Sequence, residues 1–326
     1  MPRDLRDEGT EDQRRQLSRL GSRFLLQVAR IVAVSVDREL VTALVAMAVA
    51  RANLRAVYAD PDLALRYAGV SDIPPDSVRR PVSVYAVAKT LRLPYETTRR
   101  HVRKLEAVGV CVAVEGGVIV PAALAEGPEL LSALEAGWAA VNALVADAQA
   151  VGLSGRADAV VLSEDVVRYA QRLSLSFFLD GLDLMGRVLD MEPLSVLIMR
   201  YVGFANIEHL VADPVLGPRY AGVEEVPPDD LRRPVSVYAV GKALLIPYET
   251  VRRHATKLVK LDLMERRPDG GLVAPARVIT SPAIVAGMVE FADLTQGFLD
   301  RLAAIGLPPA PELDPGVAQA AATSPV

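Results

Sequence analysis

The chain repeats itself, and this repeat constrains the fold more than any other feature. The segment "RRPVSVYAVAKTLRLPYETTRRHVRKL" at 79–105 returns at 232–258 as "RRPVSVYAVGKALLIPYETVRRHATKL", with 20 of the 27 aligned positions identical. The match continues upstream at an offset of 153 residues and downstream at 154, because one residue is inserted in the second copy. Each copy spans about 140 residues, far more than one repeat of a solenoid. The sequence therefore predicts a duplicated domain.

The duplication sets the predicted boundaries. We expect two tandem units joined by a polar connector, and 326 residues are enough for two cores. The first residues are polar and the last are rich in Pro and Ala, so both segments have little to bury and are predicted to be disordered. The predicted segments are 1–13 (disordered), 14–153 (first unit, motif 79–122), 154–166 (linker), 167–307 (second unit, motif 232–276) and 308–326 (disordered).

Each unit has the pattern of a mainly α fold with a small β-hairpin. Apolar runs between Phe24 and Ala59 predict core helices, which the Pro of Asp60-Pro61 is expected to stop. Ser83 can cap the next helix, because its hydroxyl can accept from a free N–H of the first turn. The remaining predicted elements are a helix at 84–91, a turn at 92–94, a helix at 95–107 ended by Gly109, a hairpin around Gly116-Gly117 and a helix at 129–150.

Composition narrows the class of protein. One cysteine, Cys111, allows no internal disulfide, and three histidines with that cysteine make a metal site improbable. The polar opening lacks the pattern of a signal peptide, and the longest uncharged apolar run is 11 residues, where a membrane span needs about 20. Phosphate-loop, nucleophile-elbow and dinucleotide patterns are absent from the sequence. We expect a soluble cytoplasmic protein that is not an enzyme, uses no cofactor and binds no membrane.

The charges are distributed unevenly along the chain. The whole chain carries a net charge of −4, yet 79–105 carries +7 and 232–258 carries +5, which leaves −16 on the remainder. Because binding to a polyanion depends on local potential, two basic segments on an acidic body are typical of a nucleic-acid-binding protein.

The residues "AVAKTLRLPYETTRRHVRKLEAVGV" carry a resemblance to a known family. A helix, a tight turn, a second helix and a hairpin, in that order, resemble the winged helix-turn-helix core of bacterial transcriptional regulators of the MarR and ArsR type. Ala88 and Gly241 occupy the place where that motif has a small residue, which lets its second helix approach. The resemblance covers about 45 residues of each unit and leaves the flanking helices unassigned.

The resemblance implies a function in DNA binding. Such regulators commonly act as homodimers whose second motif helices enter major grooves about 34 Å apart. A chain with two motifs implies a covalent pseudo-dimer: tandem winged helix-turn-helix units within helical domains, in a pseudo-two-fold arrangement. Its expected partner is double-stranded DNA, read as an imperfect palindrome, and its expected place is the nucleoid of the cytoplasm.

Helical spacing divides the second motif helix into two faces. Thr98, Val102 and Leu105 recur at i, i+4 and i+7 and are expected to face the core, as are their equivalents in the second copy. His101 is expected to be partly buried. The outward side chains include arginines, which can bond guanine or grip a phosphate. The predicted DNA-binding residues are Arg79, Arg80, Tyr95, Thr97, Arg99, Arg100, Arg103, Lys104, Arg232, Arg233, Tyr248, Thr250, Arg252, Arg253, Lys257, Arg266 and Arg267.

Several assignments keep two alternatives. Glu96 either accepts from cytosine or satisfies the helix dipole, and the second alternative is favoured. Arg79 and Arg80 either contact phosphate or pair with Asp76, and the same choice applies to their equivalents in the second copy.

Two alternatives to the leading function stay open. An interaction scaffold that reuses winged helices is the rival function. A DNA-binding regulator that also binds an unidentified small molecule among the flanking helices, around Phe177, Phe178 and Tyr201, is a subtype of the leading function. Self-association of the pseudo-dimers is possible in each case.

Overall fold

The protein, described by a computed structural model, is mainly α-helical with two small antiparallel β-hairpins, as the sequence predicts. The predicted tail 308–326, the central part of the predicted linker and residues 1–4 lie outside the described residues. The structure describes residues 5–36, 39–155, 165–220, 222 and 225–307, without the side chains of 5–12 and 218.

Most helical residues of the first half lie in four long helices. In chain order the elements of this half are α1 (Leu5–Ser35), α2 (Leu40–Ala59), α3 (Pro61–Arg66), a 3₁₀ turn (Asp76–Val78), α4 (Val84–Thr90), α5 (Tyr95–Ala107), β1 (Val112–Val114), β2 (Gly117–Ile119), a 3₁₀ segment (Ala122–Glu126) and α6 (Pro128–Ala150). The four long helices are α1, α2, α5 and α6.

The second half follows the same order of long helix, helix pair, hairpin and long helix. Its elements are α7 (Val167–Leu189), α8 (Pro193–Ala205), α9 (Glu208–Val211), α10 (Leu216–Arg219), α11 (Val237–Leu244), α12 (Tyr248–Lys260), β3 (Glu265–Arg266), β4 (Leu272–Val273), α13 (Ala276–Ile279) and α14 (Pro282–Ala304).

Local signals place the motif helices close to their predicted bounds. The Ser83 hydroxyl accepts from the N–H of Ala86 at 3.2 Å and caps α4, and Ser236 caps α11 in the same way. Helix α5 has the predicted bounds. The residue after it that needs left-handed backbone is Gly109, at φ +76°, whereas the second half uses Asp262 at φ +59°.

Two boundaries differ from the prediction. Helix α1 begins at Leu5, inside the segment predicted to be disordered, because that segment is rich in the good helix formers Leu, Arg, Glu and Gln. Pro61 ends α2 but also begins α3. The carboxylate of Asp60 accepts from the N–H groups of Asp62 and Leu63 at 3.0 and 3.1 Å, and Pro61 takes the first helical position, where no N–H is needed.

One hydrophobic core is shared by the two halves. Helix α1 packs on α6 of its own half and on α14 of the other, and α7 packs reciprocally on α14 and α6. At the centre, the ring of Phe24 lies 5.9 Å from that of Phe177 and 5.3 Å from that of Phe298. Phe177 and Phe178 are completely buried in this core. Both phenylalanine side chains therefore pack against other side chains, whereas Tyr201, the third residue around which the sequence allowed a ligand, is half-buried.

A buried asparagine fastens each hairpin to a core helix. Asn53 of α2 donates to the carbonyls of Arg80 and Val118 at 2.8 and 3.1 Å, and its side-chain oxygen accepts from the N–H of Val120 at 2.9 Å. Asn206 of α8 makes the three equivalent bonds in the second half. Because each asparagine bonds both the hairpin and the segment that leads into the helix pair, it fixes the hairpin relative to that pair.

Candidate nucleic-acid interface

Helices α5 and α12 each present one buried and one exposed face. Thr98, Val102 and Leu105 are buried, as predicted, and so are their equivalents Val251, Ala255 and Leu258. Small residues allow the preceding helix to approach: Ala88 is buried, and a Cβ on Gly241 would lie only 2.8 Å from the carbonyl oxygen of Ile246. The packing therefore leaves the arginine-bearing face of both helices in solvent.

A buried polar network fixes α5 against α2. The Thr42 hydroxyl donates to Glu39 at 2.9 Å and lies 2.9 Å from Nδ1 of His101, which is buried. Since that hydroxyl has one proton and gives it to Glu39, His101 must donate from Nδ1 to Thr42. Lys104 completes the network with a 2.6 Å ion pair to Glu39.

The second half repeats this network with one substitution. Ser195 replaces Thr42 and lies 2.9 Å from Nδ1 of His254, while Lys257 pairs with Glu192 at 2.9 Å. Two halves that differ at many positions keep this arrangement, and in each it ties the exposed helix to the core. The histidines are thus positioning residues and are buried more completely than predicted.

Burial and hydrogen bonding together determine the ionisation of the histidines and glutamates in these networks. It lowers the pKa of His101 and of His254, against the opposing attraction of the neighbouring glutamate. Burial acts to raise the pKa of Glu39, but the hydrogen bonds from Lys104 and Thr42 outweigh it and the net pKa is lowered. The network therefore contains a neutral imidazole beside a carboxylate that stays ionised at neutral pH.

Some predicted DNA-binding cations are already paired. Arg99 bonds Glu96 at 2.7 Å, and Arg252 bonds Glu249 at 2.8 Å, so those glutamates hold their neighbours on the helix surface. Lys104 and Lys257 are held by the networks just described. These four side chains stay at least partly exposed, but they contribute less free positive charge than the sequence alone suggests.

Other cations on the same faces are unpaired. Arg100 and Arg103 on α5 and Arg253 on α12 are exposed, and none forms an ion pair or hydrogen bond with a described residue. Arg100 and Arg253 occupy equivalent positions in the two halves. Arg80 and Arg233, just before the motif helices, are also exposed. Arg80, Arg100 and their equivalents Arg233 and Arg253 are therefore free positive charges in both halves, and Arg103 adds one in the first half alone.

Arg79 and Arg232 do not belong to this surface, which corrects their prediction as DNA-binding residues. Both are buried, at 8% and 5% exposure. Arg79 donates to the carbonyl of Pro74 at 3.0 Å and lies 3.3 Å from the carboxylate of Asp76. Arg232 has the same partners in the second half. Pairing with aspartate was the alternative that the sequence left open, and the aspartates lie close enough to keep both arginines inside.

Exposed tyrosines flank the arginines in both halves. Tyr95 and Tyr248, predicted as contacts, lie at the exposed start of α5 and α12, and Thr97 and Thr250 are half-buried beside them. Tyr85 and Tyr238 at the start of α4 and α11 are 68% exposed, although the sequence analysis did not select them. The signal was present, because both copies of "SVYAV" keep this tyrosine.

The two hairpins carry different charges. The turn of the first, Val114 to Gly117, contains Glu115 and no basic residue. In the second, Arg266 is exposed and donates to the carbonyl of Gly270 at 3.0 Å, whereas Arg267 is half-buried and pairs with Glu265 at 3.6 Å. Arg266 is therefore the better available of the two predicted hairpin contacts.

Two other kinds of site were tested against the described residues. No group of three or more His, Cys, Asp or Glu side chains among them is placed to hold a metal ion. Helices α2 and α6 are long and apolar enough to cross a membrane by length and composition, although the core helix of a soluble protein meets the same criterion. In their most apolar windows α2 is 67% buried and α6 is 22% buried.

The geometry of α5, α12 and the two hairpins thus defines the site without reference to any other protein. Comparison of the chain with protein-family models, with curated proteins and with solved structures gives no significant match.

Proposed function

We propose that the protein is a sequence-specific, double-stranded DNA-binding transcriptional regulator that acts as a covalent pseudo-dimer. On this proposal each half contains one winged helix-turn-helix. Helices α4 and α5 with β1–β2 form the first, and α11 and α12 with β3–β4 form the second. The protein would act in the cytoplasm, at the nucleoid, without catalysis and without a cofactor.

The observation that carries the proposal is the repeated exposed face of α5 and α12. Arg100 and Arg253 are free at equivalent positions, and tyrosines stand beside them at the start of each helix. A guanidinium held on a rigid helix is suited to bond guanine O6 and N7 or a phosphate. A surface used only for protein contacts has no reason to keep such charge twice.

The shared core supports the pseudo-dimer part of the proposal. Because α1 and α14 come from different halves and pack together, the two motif pairs are mounted on one body. A regulator made of two chains obtains this arrangement by association, and here the covalent chain supplies it. We propose that the two exposed helices read successive half-sites of an imperfect palindrome.

Selection of duplex fragments from a random pool, followed by titration of the selected site, tests the proposal. Roughly six to eight neutralised phosphates should give a log–log salt slope of about −5 to −7. The double variant Arg100→Ala/Arg253→Ala should lose about 1–3 kcal/mol per arginine on the selected site and less on random DNA.

Arg80→Ala is the matched control, since it should weaken both duplexes alike. Absence of duplex binding at 50 mM salt, or a salt slope near zero, would contradict DNA binding and favour the interaction scaffold. An unchanged preference for the selected site in the double variant would show that α5 and α12 do not read bases.

A further inference from the structure

An apolar cavity lined by three arginines lies between helices of the first half and α7 of the second half, and we call it the first-half cavity. Its volume is about 250 Å³, and its walls come mainly from α1, α2, α6 and α7. Most lining side chains are aliphatic. The charged side chains of the lining are those of Arg79, Arg168 and Arg172. Placing guanidinium groups around an apolar space is costly unless an anion or hydrogen-bond acceptors compensate them.

Arg172 is the arginine whose charge is not compensated by a carboxylate. It donates to the backbone carbonyls of Tyr67 and Ala64 at 2.8 and 2.6 Å, and its guanidinium lies about 5 Å from the ring centres of Tyr58 and Tyr169. It forms no ion pair with any carboxylate in the described part of the chain, whereas Arg79 has Asp76 and the charges of Asp165 and Asp72 act on Arg168. Two of its five N–H groups are used in these bonds, which leaves capacity for a ligand.

Tyr58 adds a hydrogen-bond donor at the same place. Burial raises its pKa to about 12, against the opposing effect of Arg172, so the phenol keeps its proton at neutral pH. A protonated phenol beside a guanidinium can donate to the same anion. Both groups line the cavity.

The equivalent cavity in the second half is built differently. It has a volume of about 170 Å³, and Arg19 there takes the place of Arg172, with a bond of 2.5 Å to the carbonyl of Tyr220. Arg200 replaces Met47 of the first half, lies 4.1 Å above the ring of Phe291 and donates to Ser22. The second half therefore fills part of its own cavity with a side chain.

We propose that the first-half cavity binds one organic monocarboxylate per chain, with its carboxylate on Arg172 and its apolar body among the aliphatic walls. Charge-assisted bonds from a guanidinium are strong and directional for a carboxylate. A cavity of about 150 Å³ is enough for benzene, so 250 Å³ suits an apolar body of about ten carbon atoms.

The cavity is joined to the first DNA-binding motif. Arg168 donates to the carbonyls of Val70 and Ala125 at 2.5 and 3.1 Å, and Arg79 holds that of Pro74. These carbonyls belong to the segments just before α4 and just after β2. A carboxylate that binds these arginines would compete with their hydrogen bonds to the backbone carbonyls. The ligand should therefore shift the affinity for duplex DNA by about fivefold or more. This coupling rests on the proposed function, whereas ligand binding does not.

Titration with decanoate, in the absence of DNA, tests the site. Trp138 is the one tryptophan of the chain and is adjacent to Gly137, which lines the cavity, so its fluorescence reports occupancy. Calorimetry should give one site per chain, and decan-1-ol, which lacks the charge, should bind at least tenfold more weakly. Arg172→Gln should weaken decanoate binding by at least tenfold, and the matched variant Arg19→Gln should leave it unchanged.

A second pair of variants guards against misfolding of Arg172→Gln. Ala50→Phe fills the first cavity and should abolish binding, while Gly203→Phe at the equivalent position of the second cavity should not. The site is overturned if decanoate does not bind or if decan-1-ol binds equally well. It is also overturned if Arg19→Gln weakens decanoate binding and Arg172→Gln does not. Binding that leaves duplex affinity unchanged overturns the coupling alone, and a protein that binds decanoate but no DNA overturns the proposed function.

Discussion

The histidine networks show how single residues control the exposed helices. His101 and His254 are buried, and each is held by a hydroxyl that a glutamate orients. Because burial lowers the pKa of both histidines, the folded protein keeps them neutral over a range in which the unfolded chain takes up protons near pH 6.5. The folded state therefore binds fewer protons than the unfolded state below that pH.

This difference predicts that the free energy of unfolding falls as the pH is lowered from about 7 towards 5. Glu39 and Glu192 have lowered pKa values, and the stability that they contribute is lost only at lower pH, as they take up protons. Urea unfolding at a series of pH values measures the slope. The double variant His101→Gln/His254→Gln should flatten it, and a slope that survives unchanged would assign the effect to other groups.

The buried or exposed positions of residues on α5 and α12 followed from the sequence, but the partners of the arginines did not. Period 3.6 correctly placed Thr98 and Val102 inside and Arg100 outside, because this depends only on local helix geometry. The burial of Arg79 depends on the chain folding back so that Asp76 and a carbonyl meet it. Sequence spacing allowed that pairing and phosphate contact equally, and only the packing decides between them.

At the scale of elements, each hairpin depends on one asparagine. Asn53 is buried and bonds two carbonyls and one N–H; the bonds to Val118 and Val120 are buried and the bond to Arg80 is partly buried. The carbonyl of Val118 also accepts from the N–H of Val82, so Asn53→Ala should leave the Arg80 carbonyl and the Val120 N–H without these bonds and lower the free energy of unfolding by about 3 kcal/mol. Thermal or urea unfolding measures this, with Asn206→Ala as the matched variant in the second half.

The same variants separate stability from function. Duplex affinity of Asn53→Ala, measured well below its melting temperature, should fall if the first hairpin helps to position α4 and α5. A variant that melts early yet binds the selected site normally would show that the hairpin is not part of the interface.

The two halves are predicted to use different elements on DNA. Thr256 stands in α12 where α5 has the free Arg103, while the second hairpin has the exposed Arg266 and the first has Glu115. Arginine is favoured by the negative potential of a minor groove, beside which such a hairpin commonly lies. Footprints of Arg103→Ala and Arg266→Ala should therefore weaken on opposite halves of the site. Equal loss on both halves would refute this division.

Hairpins and caps were predictable because their signals are local. Ser83 lies next to the helix that it caps, and Gly116-Gly117 lies within the turn that it forms. The start of α3 was missed because Pro61 was interpreted as a helix stop, although Asp60 before it supplied a cap. A proline allows both interpretations, and the residue that precedes it distinguishes them.

At the scale of the whole molecule, the shared core predicts cooperative unfolding. Phe177 of the second half contacts Phe24 of the first and is completely buried. Loss of either half would expose the core of the other. Urea unfolding followed by Trp138 fluorescence, which reports the first half, and by circular dichroism should give coincident single transitions.

Phe177→Ala should lower the free energy of unfolding by about 3–5 kcal/mol and keep the two curves coincident. Val215→Ala, at a position 78% exposed in the second half, should change it little. Two separate transitions would mean that each half folds on its own core.

The repeat predicted two units but not that they share a core. Helices α1 and α14 lie at opposite ends of the described chain and pack together, and no local pattern reveals such a contact. The duplication suggested it only indirectly, since helices that would join two identical chains can also join two copies within one chain.

The single shared core also determines how the number of molecules that carry both exposed basic helices depends on the number of chains. Where two separate chains must meet, the supply of paired molecules in dilute solution grows with the square of their number and vanishes on dilution. Here α1, α6, α7 and α14 hold both exposed basic helices on one polypeptide. Halving the number of molecules therefore halves the number of complete pairs and no more, so even a few copies per cell would each carry both helices.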